Sequence, residues 1–201
     1  MKSQKNIKDM LVANKKILVV AGAVALVIAL AVTAVLVLPR WAQQRAQRAT
    51  AARIAQQRTQ KFTVVKPRPA DLSSPESAAR SYADWAAYAL AVGDADTAKA
   101  TMTDVAAKLL QRQIDSGKQL NFQQLKRLLD FSVSSRTDEK NARVALTVKE
   151  TWQSSRAPLS PRLTSRDAGT TEELRVVYRL KKGDNGWQVD RVVTVSRKTL
   201  K

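Results

Sequence analysis

The sequence predicts an α+β fold: three to four helices packed on a curved antiparallel sheet of about four strands, preceded by one transmembrane helix and a helical stalk. Three observations carry this. Residues 17–38 form an uncharged apolar run. From Pro75 to Leu129 apolar residues recur at the helical spacing of three and four. From Phe131 onward the period drops to two, as in half-buried strands.

The run, ILVVAGAVALVIALAVTAVLVL, has 22 residues, and Thr33 is its only polar side chain. As a helix it covers about 33 Å, against a hydrocarbon core of about 30 Å. In lipid every backbone N–H and C=O must be satisfied within the segment, so a single span has to be helical. Lys15 and Lys16 close one end; Pro39, Arg40 and Trp41 close the other, where Trp41 suits the membrane interface. A cleaved signal peptide would have a shorter apolar region, about 7–15 residues, followed by a small-residue site. Ala31 and Ala34 offer such residues, yet the run continues past them. A core helix of a soluble protein is rarely apolar all round. An uncleaved anchor is therefore expected.

The chain has no cysteine, which excludes disulfides, thiolate catalysis and cysteine zinc sites. It has no histidine, which removes the commonest general base and metal ligand. The net charge is +18. Residues 1–16 carry five Lys against Asp9, and residues 39–61 carry five Arg and Lys61 with no acid. These flanks suit anionic headgroups. A nucleic-acid partner is compatible with the charge, but no recognition motif accompanies it and aromatic residues are few. The two flanks of the span are nearly tied in Lys and Arg, so the positive-inside rule decides weakly. The short tail has nothing to fold, whereas the C-terminal part reads as a domain. The expected topology is an inner-membrane protein with a cytoplasmic N-terminus and an extracytoplasmic domain.

In order, residues 1–16 read as a basic cytoplasmic tail and 17–38 as the span. Residues 39–61 read as a solvated stalk helix of Ala, Gln and Arg, with no heptad seam. Residues 62–74 contain Pro67 and Pro69 and read as a linker or short extended strand. The domain is expected over 75–201. Ser74-Pro75-Glu76 is a helix start, and Gly93 a stop. Residues 95–101 read as one or two helical turns. Thr103 is expected to cap a helix with Val105, Ala106, Leu109, Leu110 and Ile114 inward, ending at Ser116-Gly117. Asn121 is expected to cap a last short helix carrying Phe122, Leu125, Leu128 and Leu129. Strands follow at 131–137, from Ala142 to Val148, from Leu174 to Leu180 and from Trp187 to Val195. A turn lies at 138–141, a long loop at 154–171 and a hairpin at Lys182-Gly183-Asp184-Asn185-Gly186.

Residues 74–100, 141–152 (NARVALTVKETW) and 173–195 (EELRVVYRLKKGDNGWQVDRVVTV) together resemble the nuclear-transport-factor-two-like superfamily, whose α+β domain is cone-like. The final hairpin is the most telling piece. The resemblance covers roughly residues 74–197 as a pattern of hydrophobics and turns. Several members join this fold to one N-terminal span. They include periplasmic scaffold proteins of type IV secretion and conjugation machines, N-terminal domains of some penicillin-binding proteins, and partner-binding domains of chloroplast and cyanobacterial division proteins. No residue signature here picks one of them. The resemblance implies assembly or protein binding, while fold alone says little about activity.

Enzymes of that superfamily place carboxylates, tyrosine or histidine inside the cone. Strand parity singles out Glu150, which shares a face with Val148 and Trp152, and Arg191, which shares one with Trp187, Val189 and Val193. A lone buried charge is expensive, so pairing is expected. The plain reading is a structural ion pair; the functional one is a polar anchor in a ligand pocket, which Tyr82, Tyr88 and Tyr178 could join. Asp94 and Asp96 lack metal-loop spacing and read as cap and turn residues. Arg156, Arg162 and Arg166 could meet an acidic partner or phosphate, although such runs are usually just solvated. No catalytic residue, cofactor or metal is expected. The expected function is a non-enzymatic, single-pass scaffold in a homo-oligomer or hetero-complex of the cell envelope, in contact with the lipid bilayer and other envelope proteins. The alternatives are an isomerase-like small-ligand pocket, and a cytoplasmic domain with its basic stalk on anionic lipid or nucleic acid.

Overall fold

The computed structural model describes residues 38–200, with side chains from Gln44 onward. The expected basic tail and nearly all of the expected span, with Lys15 and Lys16, lie outside the described residues. Among the described residues no helix is long and apolar enough to cross a membrane. The chain divides into two compact units, residues 1–53 and 54–201. Helix α1, Leu38–Arg58, includes Arg40 and Trp41 and crosses that boundary.

The second unit is α+β. Helix α2 (Pro75–Val92) starts where Ser74 Oγ accepts the Ser77 N–H at 3.1 Å, with Pro75 in the first turn. It stops at Gly93, whose φ of 77° is left-handed and whose N–H reaches Ala89 O. A 3₁₀ segment, Ala95–Thr101, leads into helix α3, Asp104–Gln119. Strands β1 (Phe122–Glu139), β2 (Arg143–Pro158), β3 (Thr170–Gly183) and β4 (Gly186–Leu200) follow as an antiparallel meander in the order β1-β2-β3-β4. The sheet is open. The β3–β4 hairpin closes on the Gly183–Gly186 pair around Asp184-Asn185, where the sequence places its strongest turn.

Small side chains set the packing of α2. Ala78, Ala79, Ala83 and Ala87 let the helix lie close on Val144, Leu146, Val148, Val176 and Leu180 of the sheet. A second side of the same helix, Ala86, Ala89 and Leu90, meets Ala106, Leu110 and Ile114 of α3. Burying these apolar surfaces is the main favourable term holding the layers together.

Five expectations need correction. The short helix after Asn121 is instead the first half of β1. Its apolar residues mimic a helix because a bulge at Leu129 breaks the alternation: Leu128 pairs with Trp152 and Asp130 with Thr151, so Leu129 is the extra residue. Asn121 itself takes a left-handed φ of 55° before the strand. Helix α3 runs past Ser116-Gly117. Val105 and Leu109 of α3 are not buried, at 51% and 48% exposed, Leu109 lying at the rim of the hollow described below, while Ala106, Leu110 and Ile114 are buried. Thr103 makes no side-chain cap; its hydroxyl donates instead to Asp190 Oδ1 at 3.0 Å. The long loop is only 159–169, because β2 and β3 extend into the stretch expected to be irregular.

Residues 62–74 are extended, but they do not hang free. Phe62 and Val64 are buried with Ala91, Leu125 and Ala157. Val64 N–H donates to Leu163 O and Ser165 N–H to Phe62 O, both at 2.8 Å. Buried Gln153 donates to Gln60 O at 2.9 Å and accepts from Arg127 at 2.7 Å. The packed unit thus begins well before Pro75.

Candidate functional site

A hollow of about 290 Å³ opens between α2, α3 and the inner face of the sheet. Alternation along β2 sends Val148, Glu150 and Trp152 inward together, and alternation along β3 does the same for Leu174, Val176 and Tyr178. Ala83, Ala86, Ala87 and Leu90 of α2 and Ala106, Leu109 and Leu110 of α3 complete an apolar wall. The polar part of the lining is small: Glu150, Tyr178, Tyr82, Thr194, Gln113, Lys126 and Arg197.

Glu150 is 2% exposed, the only buried acid among the described residues. Tyr178 donates its hydroxyl to Glu150 Oε1, and Trp152 donates its indole N–H to Oε2 at 2.7 Å. Both carboxyl oxygens are therefore engaged. Tyr82 packs edge-on against Tyr178 at 6.0 Å, and Phe131 lies at 6.2 Å from the same ring. Burial pushes the Glu150 carboxyl above its ordinary value, against the hydrogen bonds from Tyr178 and Trp152 and the charges of Lys126 and Arg80. Burial raises Tyr178 well above 10, with the Glu150 charge adding to it, and raises Tyr82 to about 12. Both phenols stay protonated at neutral pH, and Tyr178 serves as a donor to Glu150. Lys126 is lowered, first by burial and then by Arg197, while Glu172 and Glu150 pull it back. Arg197 also lies 3.6 Å from Glu172.

The structure brings Glu150, Tyr178 and Tyr82 together. It does not bring Arg191 to them, and the expected Glu150–Arg191 pairing is absent. The reason is a bulge in β4: Leu180 pairs with Val189 but Arg179 pairs with Arg191, so Asp190 is an extra residue and parity flips after it. Arg191 therefore faces outward. A second bulge at Val195 turns the strand again, and Arg197, opposite Leu174, reaches the hollow. Sequence reading missed Arg197 for this reason. It missed Lys126 because that stretch read as helix. Tyr88 packs edge-on against Trp85 at 6.0 Å and lies outside the hollow.

The three loop arginines do not converge. Arg156 stacks over the Phe122 ring at 5.0 Å. It lines a larger open groove of about 700 Å³ with Lys126, Asp167 and Arg197. Arg162 and Arg166 are exposed on the 159–169 loop and do not line that groove. Among the described residues no group of acidic side chains is placed to hold a metal ion. The inner hollow can hold a small apolar body, with cations at its edge and a carboxyl already satisfied by its neighbours.

No protein-family model matches the chain, and no curated protein matches it. Among solved structures, the intermembrane-space region of the chloroplast protein ARC6 is similar over 65% of this chain and 99% of that one, at 15% identity and a TM-score of 0.48. A putative aromatic ring hydroxylase from Novosphingobium aromaticivorans is similar over 62% of this chain and 92% of that one, at 12% identity and a TM-score of 0.39. At this degree of likeness neither fixes a family or an activity.

Proposed function

We propose that this chain is a non-enzymatic, membrane-anchored assembly protein of the nuclear-transport-factor-two-like superfamily, with its α+β unit outside the cytoplasm in a secretion- or conjugation-type envelope complex. The observation that carries the proposal is the uncharged run of residues 17–38, set directly before a basic helix and a folded unit. The satisfied state of Glu150 supports the non-enzymatic part, since one oxygen accepts from Tyr178 across to β3 and the other from Trp152 on its own strand. The deciding experiment is extraction of native membranes with alkaline carbonate, followed by purification of the full chain in detergent. The chain is expected to stay in the membrane and to bring stoichiometric envelope proteins with it. Release by carbonate, or a lone monomer after purification, would sink the proposal. Labelling in intact cells of a cysteine placed in the 159–169 loop tests the topology.

A second reading rests on the inner hollow, whose apolar wall and rim cations suit a small amphipathic anion. Under that reading a medium-chain carboxylate raises the melting temperature of the full chain, and Leu110→Trp, which fills the hollow, abolishes the rise.

A further inference from the structure

The outer face of the sheet carries more cations than acids: Arg143, Arg179, Lys181 and Arg191 line one recess with Glu139, which lies opposite Arg143, and Asp190. Arg179 on β3 lies directly opposite Arg191 on β4, and Arg143 on β2 lies opposite Lys181 on β3. Like charges in direct cross-strand register destabilise a sheet. Among the described residues none of these four makes an ion pair. The next register row is Thr147, Val177 and Val193, with Val193 45% exposed. Beyond it lie Lys149, which pairs with Glu173 at 2.8 Å, and Arg175, which makes no ion pair among the described residues. An apolar strip is thus bounded by cations at both ends.

We infer that this face docks an acidic amphipathic helix of a partner protein. The inference rests on the assembly reading above and names the chemistry of the partner. The dimensions fit: three strands span about 10 Å across, the width of a helix, and the strip between Arg175 and Arg179 is about 13 Å long. A helix laid there puts apolar residues on Val177 and Val193 and acids on the arginines at either side. A flat anionic bilayer would leave the valines without a partner. The chain's own segments do not complement the face: residues 1–16 have five Lys and one acid, and residues 39–61 have no acid. Helix α3, which exposes Val105 and Leu109, carries Lys108, Arg112 and Lys118 against Asp104 and Asp115, so a second copy is a poor occupant.

The test uses the full chain in nanodiscs of neutral lipid. It is titrated with a synthetic helix bearing leucines on one face and glutamates along both flanks, with a scrambled peptide of the same composition, and with vesicles rich in anionic phospholipid. The amphipathic helix is expected to bind in a salt-sensitive way. The pair Arg179→Ala and Arg191→Ala is expected to weaken it about tenfold or more, and Val193→Asn to weaken it separately. Removing two opposed cations should leave the melting temperature unchanged or higher, which separates lost binding from lost folding. Equal binding of the scrambled peptide, equal binding by the double variant, or binding to anionic vesicles alone would overturn the inference. Envelope partners recovered undiminished with the double variant would sink this face and leave the assembly reading standing. Helix binding without any recovered partner would do the reverse.

Discussion

Tyr178 on β3 donates its hydroxyl to Glu150 on β2, although the two are not register partners: Glu150 pairs with Leu174 and Tyr178 with Leu146. The bond runs along the inner face of the sheet, and the Trp152 indole completes the carboxyl's second oxygen. Tyr178→Phe leaves one buried oxygen unpaired and is expected to cost about 1–3 kcal/mol. Urea denaturation measures it. A cycle with Glu150→Gln should return a coupling of about 0.5–3 kcal/mol between the two side chains.

The same carboxyl makes stability depend on pH. Its folded value is raised above the ordinary 4.5 by burial, so the folded state holds the proton where the unfolded state has released it. The stabilisation from that proton is fully present below the unfolded value and is lost as pH rises through the folded one. Glu150→Gln carries no such titration. The variant is therefore expected to gain stability relative to the parent as pH goes from mildly acidic to neutral. Denaturation midpoints measured across that range check the sign; a variant that loses stability relative to the parent as pH rises contradicts it.

Phe62 is 2% exposed, and its N–H donates to Ser165 Oγ at 2.8 Å. Phe62→Ala is expected to cost about 3–5 kcal/mol. A chain beginning at Pro75 loses this contact together with Val64, whereas one beginning at Ile54 keeps both. Circular dichroism melts should show cooperative unfolding for the longer chain and a weaker or absent transition for the shorter.

Ser74→Ala removes the hydrogen bond to the first turn of α2 and is expected to cost about 1 kcal/mol. The loss should appear as a lower melting temperature with the helical signal of the native state intact.

Gly169 sits at φ 64°, and a Cβ there would fall 2.1 Å from the Ser154 carbonyl oxygen. Gly169→Ala cannot be absorbed by a flexible side chain, because the obstacle is backbone. It is expected to destabilise the fold by more than about 1 kcal/mol. Limited proteolysis should find faster cleavage within the 159–169 loop.

Much of the fold could be read from residues alone. Ser74, Pro75 and Gly93 bracket α2 because caps are local chemistry, and the Gly183–Gly186 hairpin is equally local. What stayed hidden was non-local. Leu129, Asp190 and Val195 are single extra residues whose presence depends on register with a neighbouring strand. Each reverses which side of the sheet the following residues occupy. That is why Leu125, Leu128 and Leu129 read as helix, and why Arg191 stood in for Arg197. Glu150 and Tyr178 were legible because β2 and β3 keep unbroken register with each other along their length. Thr103 illustrates another limit: its hydroxyl finds Asp190, 87 positions away, in place of its own helix.

The antiparallel bridge between Thr63 and Thr164 has a mechanical consequence. Any tension transmitted along the polypeptide from its N-terminal side meets Gln60, held by Gln153, and then Phe62 and Val64, which are fastened to the connection between the two central strands. The load enters the middle of the sheet before it reaches the alanine-packed helix, so that helix and the hollow beneath it are shielded from a pull on the N-terminal side.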